Sequence, residues 1–250
     1  MAFLVVNTQS IDLADALHWS SISDTHPFLE ATVERAVLHQ YAETQGLEVT
    51  SEDVQNESDR IRYAFELADP NETERWLRSH DMNVETFTKA CAYSALRNKV
   101  RDNISDETIQ QYYADHEDQF VEVDLYVIRR HNAKKLHQLA EQLRAGDLNF
   151  HLEAIRQSED PETAPHGGYV GRLRRDEVPE DLAVSIFSVD PGDIIGPITD
   201  QDGHILMLMK QWRLLPLDEI RGEVRDIVFG QLIAELTKIA VVSAPSDPNS

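Results

Sequence analysis

Histidine and cysteine are the residues whose chemistry stands out first, and their spacing argues against several common kinds of site. The chain has ten histidines and one cysteine. The histidines are scattered without the ligand spacing of a metal site, so we expect no metal and no cofactor. His80-Asp81 and His116-Glu117 are isolated polar pairs, and no Gly-x-Ser-x-Gly motif offers a hydrolytic nucleophile. Cys91 lies in a helical pattern, where a buried thiol is favoured over a reactive one.

Charge and composition restrict the class of protein further. The 250 residues include 23 Lys and Arg against 45 Asp and Glu, a formal net charge of −22. Because phosphate binding needs clustered Lys and Arg, this excess argues against a nucleic-acid partner. No apolar run is long enough to span a bilayer, so we expect no membrane insertion. The apolar stretch at residues 3–6 is too short for a signal peptide, which favours a cytoplasmic location.

The first half of the chain is predicted to be helical. Its apolar residues recur at three- and four-residue spacing, and residues 1–118 carry most of the acidic excess of the chain. Pro27 is typical of a helix start. Thr50 with Asp53 predicts a capping box, and Asn71 and Asn83 are predicted N-caps of short helices.

The pattern changes after residue 120. Apolar and polar residues alternate over 121–128, which predicts a strand, and Asn132 is the predicted N-cap of the helix that follows. Residues 203–211 read as a second strand. Pro216 begins a last helix whose apolar stripe continues to Ile239 and needs a partner surface.

Residues 121–212 carry an ordered set of motifs. In order they read VDLYVI, LRAGDLNFHLEAIRQSED, HGGYVGRL, VPEDLAVSIFSVDPGDIIGPI and TDQDGHILML. The set contains a strand, a Gly-Gly-x-x-Gly turn, a helix ending in an aromatic residue, a Gly- and Pro-containing segment, and a final strand that carries a histidine. In this order it resembles the parvulin family of peptidyl-prolyl cis–trans isomerases.

Residues 1–118 contain the segments YAETQGLEVTSEDV, WLRSHDMNVETF and ISDETIQQYYADHEDQF. With these segments they resemble the helical N-terminal domain of the SurA-type chaperone-isomerases, in which a C-terminal helix folds back onto the N-terminal helices. The resemblance implies an α+β protein: an all-helical N-terminal domain completed by a C-terminal helix, plus a parvulin-like domain with a small antiparallel sheet surrounded by helices. The implied domains are a helical domain (1–118), a parvulin-like domain (119–212), a C-terminal helix on the helical domain (213–242) and a loose tail (243–250).

The resemblance also implies candidate site residues. His204, Asp160 and Thr199 match the polar positions of the parvulin site and are the catalytic candidates. The apolar positions around the substrate proline match Val170, Val178, Leu182, Phe187 and Leu125.

Several of these positions depart from the family pattern. Leu125 stands where parvulins carry a second histidine, Leu182 where they usually have a Phe, and Val178 where Met is common. The final turn reads Asp202-Gly203-His204 instead of Gly-x-His. These departures alter the pocket and leave the implied fold intact.

Each polar candidate also has a structural interpretation. His204 could be a core histidine, Asp160 a residue that caps a turn, and Thr199 a structural hydroxyl. The basic cluster Arg172, Arg174 and Arg175 is either a solvated face or a contact for an acidic segment.

Two hypotheses for function follow. The first is a prolyl isomerase that acts as a foldase on unfolded or precursor peptides, including proline-containing ones. The second is a peptide-binding chaperone, or a partner in peptide maturation or secretion, that keeps the parvulin fold without isomerase activity. The oligomeric state is left open by the sequence.

Overall fold

The computed structural model describes residues 2–12 and 28–243, which divide into two compact units. The first unit comprises residues 1–112 with 221–250, and the second comprises 113–220. Both divisions fall inside helices, whereas the sequence analysis set its boundaries after residues 118 and 212. Pro27 and the predicted loose tail beyond Ser243 lie outside the described residues.

Helices and strands are numbered in chain order. The helices are α1 (Phe28–Thr44), α2 (Ser51–Ala64), α3 (Pro70–Ser79), α4 (Val84–Asp102), α5 (Asp106–Asp115), α6 (Ala133–Arg144), α7 (Phe150–Gln157), α8 (Glu180–Ile186) and α9 (Leu217–Ile239). The strands are β1 (Ala2–Val6), β2 (Gln9–Asp12), β3 (Val121–Arg130), β4 (Tyr169–Arg174), β5 (Ile194–Asp200), β6 (Gly203–Leu214) and β7 (Val242–Ser243). The α+β prediction is confirmed. Within the described ranges, no helix is both long and apolar enough to cross a membrane.

Side-chain caps fix where several helices begin. The predicted capping box is present at α2, where the Asp53 amide donates to Thr50 Oγ1 at 3.2 Å and the Thr50 amide donates to Asp53 Oδ2 at 2.7 Å. Asn83 caps α4 as predicted. The prediction of Asn71 as a cap was wrong, because Asp69 accepts from the Asn71 amide at 2.7 Å and Pro70 occupies the first helical position.

A small antiparallel sheet corrects the prediction that the N-terminal domain is entirely helical. Strands β1 and β2 pair across a turn in which Asn7 has φ +55°, and β7 pairs with the other edge of β1. Apolar side chains of β1 and β2, Leu4, Val6 and Ile11, are buried against α1. The sequence pattern does not predict this sheet, because its strands are too short to show a clear alternation of apolar and polar residues. One of them, β7, also comes from the opposite end of the chain.

The middle of the apolar stripe of the last helix is buried within the helical unit, whereas Ile239 at its end is exposed. Phe229 is buried beside residues of α1 and α4, including Leu38, Leu96 and Val100. The side chain of Arg97 lies over the Phe229 ring, with 4.8 Å between the guanidinium carbon and the ring centroid. Helices α1, α4 and α9 therefore share one core.

The second unit is built on a four-stranded antiparallel sheet in the order β4-β3-β6-β5. Both faces of this sheet are covered. On one face, Leu125 and Val127 of β3 and Met207 of β6 pack against α8. On the other, Ile128 and Leu206 pack against α6 and α7. The alternation of β3 therefore sorts its apolar residues between two cores, and the sheet positions the loops at its edge.

Candidate functional site

A cleft of about 810 Å³ lies at one end of the strands of this sheet, and its lining includes the three polar candidates. Its lining comes from the end of β3, the loop after α7 and the hairpin between β5 and β6. Asp160 belongs to the loop, and Thr199 and His204 belong to the hairpin. The structure thus brings together three residues that span 45 positions of the chain.

The β5–β6 hairpin places Thr199 directly opposite His204. The two residues are strand partners, and Thr199 Oγ1 and His204 Nδ1 are joined by a hydrogen bond of 2.8 Å. This bond fixes the ring orientation and leaves Nε2 as the ring nitrogen available for another contact. The imidazole is half-buried at the cleft, so His204 is not the fully enclosed core histidine of the structural interpretation.

Asp160 caps the turn that begins the loop. Its Oδ1 accepts from the Glu162 amide at 2.9 Å and from the Thr163 amide at 3.4 Å. Burial opposes ionisation of this carboxyl, but these hydrogen bonds and the nearby positive charge of Arg129 outweigh burial and lower its pKa. Asp160 is therefore a carboxylate at neutral pH, so it can accept a hydrogen bond from a ligand but cannot act as a general acid. These contacts agree with the turn-capping interpretation. Asp160 also lines the cleft, so its catalytic role stays a prediction.

Charged residues that the sequence analysis did not single out complete the lining. Arg129 Nη1 lies 2.6 Å from both carboxylate oxygens of Asp200. Glu159 accepts from the His131 amide at 2.8 Å, and its carboxylate pairs with the His131 ring. In the sequence, the run Arg129-Arg130-His131 follows the predicted strand at 121–128. This basic run next to the first parvulin motif was the signal that could have identified these residues as part of the site.

The five apolar candidates do not lie on the lining of this cleft. Leu125 and Val178 are only 4% and 8% exposed, and both belong to the core between the sheet and α8. Leu182 and Phe187 pack against the same core, whereas Val170 is 43% exposed on β4. Their substrate-binding role stays a prediction, and the burial of Leu125 and Val178 leaves them little surface for a proline ring.

Strand register also separates Leu125 from His204. Leu125 pairs with Met209, whereas His204 pairs with Arg130, five residues farther along β3. At the usual rise per residue these two positions are about 17 Å apart along the strand. A histidine in place of Leu125 would therefore enter the apolar core rather than pair with His204.

The basic cluster on β4 is explained by contacts within its own unit. Arg172 Nε lies 3.3 Å from Asp124 Oδ1, and Arg174 Nε lies 3.9 Å from Glu122 Oε1. The Arg175 guanidinium carbon lies 5.7 Å from the Phe187 ring centroid. These are the contacts of a solvated face. In the described parts of the chain, no group of three or more His, Cys, Asp or Glu residues has the arrangement of a metal site.

Comparisons with known proteins agree with this architecture. Residues 128–210 match the Rotamase family, described as the PPIC-type PPIase domain. The foldase protein PrsA of Caldanaerobacter subterraneus subsp. tengcongensis is 21% identical over 198 residues, covering 79% of this chain and 60% of that protein. The chaperone SurA of Xylella fastidiosa is 32% identical over 80 residues, covering 32% of this chain and 17% of that protein. This chain thus spans less than two thirds of the length of these curated relatives.

A crystal structure extends the likeness of the fold to both units. The peptidyl-prolyl isomerase PrsA of Bacillus cereus aligns over 94% of this chain and 90% of its own, with 18% identity and a TM-score of 0.54. At that identity the likeness concerns the fold. The matched family domain contains the β5–β6 hairpin and the loop with Asp160. Residues 128–210 of this chain therefore match the PpiC-type rotamase domain, and the chain is similar to the foldase PrsA and the chaperone SurA.

Proposed function

We propose that this protein is a peptidyl-prolyl cis–trans isomerase that acts as a foldase on unfolded polypeptide. The observation that carries the proposal is the cleft of the PpiC-type domain, where Asp160 and the hydrogen-bonded pair Thr199 and His204 converge. The names of the relatives, a foldase and a chaperone, support polypeptide segments as the ligand class. Proline-containing segments are the substrates we propose for this cleft.

The chemistry of isomerisation needs polar groups at the rotating amide and no cofactor. The barrier is about 18–20 kcal/mol because the planar amide is stabilised by resonance, and no bond is made or broken. A site accelerates the reaction when it binds the twisted amide better than the planar one. His204, held by Thr199, offers Nε2 to the rotating carbonyl or the amide nitrogen, and the Asp160 carboxylate offers an acceptor. Fixed dipoles of this kind act without reorganisation during the rotation.

A second candidate function is peptide binding without isomerisation. It is favoured by the placement of the apolar candidates, since Leu125 and Val178 are buried in the core and the cleft lining is mostly polar. A chaperone or a partner in peptide maturation needs only to hold an extended segment.

The cytoplasmic location stays a prediction, which fractionation of cells that produce the full-length protein checks.

An isomerisation assay on a panel of X-Pro peptides separates the two candidates. The proposal predicts that the wild type exceeds the uncatalysed rate and that His204→Ala loses most of the acceleration. His137→Ala is the matched control, because His137 is an exposed histidine of α6 in the same unit that does not line the cleft. Only the uncatalysed rate for every peptide would contradict isomerase activity. Suppressed aggregation of a denatured client, equal in wild type and His204→Ala, would then favour the binding function.

A further inference from the structure

Arg129 occupies the junction between the two segments that carry the polar site residues. It lies near the end of β3, where it pairs with Ile205 of β6, and its side chain is 23% exposed. Its backbone and its side chain bind different segments of the unit. The sequence showed only a basic residue at a strand end.

The backbone of Arg129 holds the loop that contains Asp160. Its amide donates to Ser158 Oγ at 3.1 Å, and its carbonyl accepts from the Glu159 amide at 2.8 Å. These two bonds extend the pairing of β3 onto the start of the loop. Asp160 follows directly, so its position depends on the end of β3.

The side chain of Arg129 holds the hairpin that contains Thr199 and His204. Asp200, which faces the guanidinium, begins a two-residue turn and pairs with Gly203 on its far side. Asp200 Oδ1 also accepts from the Asp202 amide at 3.0 Å. One carboxylate therefore binds both Arg129 and the backbone of the turn. Asp200 follows Thr199 directly, and its strand partner Gly203 directly precedes His204.

We propose that Arg129 is a positioning residue of the site. It sets the distance between Asp160 and the Thr199–His204 pair by binding the loop through its backbone and the hairpin through Asp200. The inference rests on the proposed function for its catalytic consequence but not for its structural one. Because both charges are partly buried, removing one costs the other its main partner, and the turn loses its link to β3. Asp200 keeps its bond to the Asp202 amide, and Arg129 keeps its contact with Asp202, at 4.0 Å. Small displacements of reacting groups reduce turnover strongly.

The test compares Arg129→Gln and Asp200→Asn with wild type by two readouts. The first is NMR of the His204 ring and of the Asp202 and Gly203 amides, where we expect shifted or broadened ring signals and faster amide exchange. The second is isomerisation, where we expect kcat to fall on the order of tenfold with KM changed by less than about twofold. In a His204→Ala background Arg129→Gln should cause no further loss.

Two further variants separate positioning from a general loss of stability. Arg129→Lys keeps one charged contact with Asp200 and should fall between wild type and Arg129→Gln in both readouts. Arg156→Gln is the matched control, since Arg156 pairs with Glu153 at 3.2 Å on α7 and does not line the cleft. It should leave the His204 signals and kcat unchanged.

The outcomes bear on the two proposals separately. Unchanged His204 signals in both Arg129→Gln and Asp200→Asn, or equal changes in Arg156→Gln, would overturn the positioning role. If Arg129→Gln does not fold, Asp200→Asn carries the test, because it keeps the Arg129 side chain and removes only the charge of its partner. A wild type without isomerase activity, combined with the expected changes at His204, would overturn the proposed function and keep the positioning role.

Discussion

Gly168 allows a prediction whose size follows from the geometry of its turn. It ends the loop that carries Asp160 and precedes β4, with φ +86°. A Cβ built on it would lie 2.4 Å from the backbone oxygen of Val127 and 3.1 Å from the Ala154 Cβ. The Val127 amide donates to the Gly168 carbonyl at 2.7 Å. The loop thus approaches β3 closely enough that only glycine fits.

The expected cost of Gly168→Ala has two parts. A left-handed backbone costs a residue with a Cβ about 1–2 kcal/mol. The Cβ must also retreat from 2.4 Å to at least 3.0 Å from the Val127 oxygen, which is a rigid backbone atom. That movement weakens the hydrogen bond from Val127, worth about 1 kcal/mol. We expect the free energy of unfolding of this unit to fall by about 2–3 kcal/mol, a large part of the stability of a typical domain.

Glycines of the last helix provide a control of opposite sign. Gly222 lies exposed in α9, where an added Cβ meets nothing within 4 Å. Gly222→Ala should therefore stabilise the helical unit by up to about 1 kcal/mol, because alanine has the higher helix propensity. Together, Gly168→Ala and Gly222→Ala test whether the surroundings of a glycine decide whether its replacement by alanine lowers or raises the free energy of unfolding.

Denaturant unfolding followed by NMR amide signals measures the two units separately, through β3 and β6 for the second unit and through α1 and α4 for the helical unit. For Gly168→Ala we expect a lower midpoint, with an unchanged dependence on denaturant concentration. A loss smaller than about 0.5 kcal/mol, the range of ordinary surface substitutions, would refute the reasoning. So would an equal destabilisation by Gly222→Ala.

Three further predictions concern the hydrogen bond of the site, an acid-sensitive cap and the buried thiol. Thr199→Val should lower isomerisation by about tenfold while preserving the hairpin, because it removes the hydroxyl that orients His204; an unchanged rate would contradict that role. The side-chain hydrogen bond from Lys99, helped by the Thr50 cap, lowers the pKa of Asp53 from 3.8 to about 2. The contribution of the Asp53 carboxylate to stability is therefore complete above about pH 4 and is lost as the pH falls towards 2. The difference in unfolding free energy between wild type and Asp53→Asn should therefore disappear over that pH range. Burial raises the pKa of Cys91 to about 11, so alkylation at pH 8 should require unfolding, and rapid labelling of the native protein would contradict its burial.

Local signals in the sequence determined many of the elements in both units. The capping box at Thr50 and the alternation of β3 are interactions between residues a few positions apart, so the sequence pattern predicts them directly. The Gly-Gly turn is local in the same sense, although its reason, the approach of Gly168 to Val127, is visible only in the fold. The order of the motifs was sufficient to indicate the parvulin resemblance and the three polar candidates.

The tertiary structure alone decided which candidates meet. A residue's distance from the cleft depends on strand register, and β3 contains an irregularity next to Leu125 that no propensity reports. Register places His204 opposite Thr199 and five residues from the partner of Leu125. The same pairing buries Leu125 in the core, where the family resemblance implied a place at the substrate.

Long-range contacts were beyond the reach of sequence patterns for the same physical reason. The ion pair between Arg129 and Asp200 joins residues 71 positions apart, and β7 pairs with β1 from the opposite end of the chain. Sequence spacing carries no information about such pairs, because the folding of everything between them sets their distance. The sequence by itself determined which elements form and the chemical types at the site, whereas the packing of the sheet determined which side chains share the cleft.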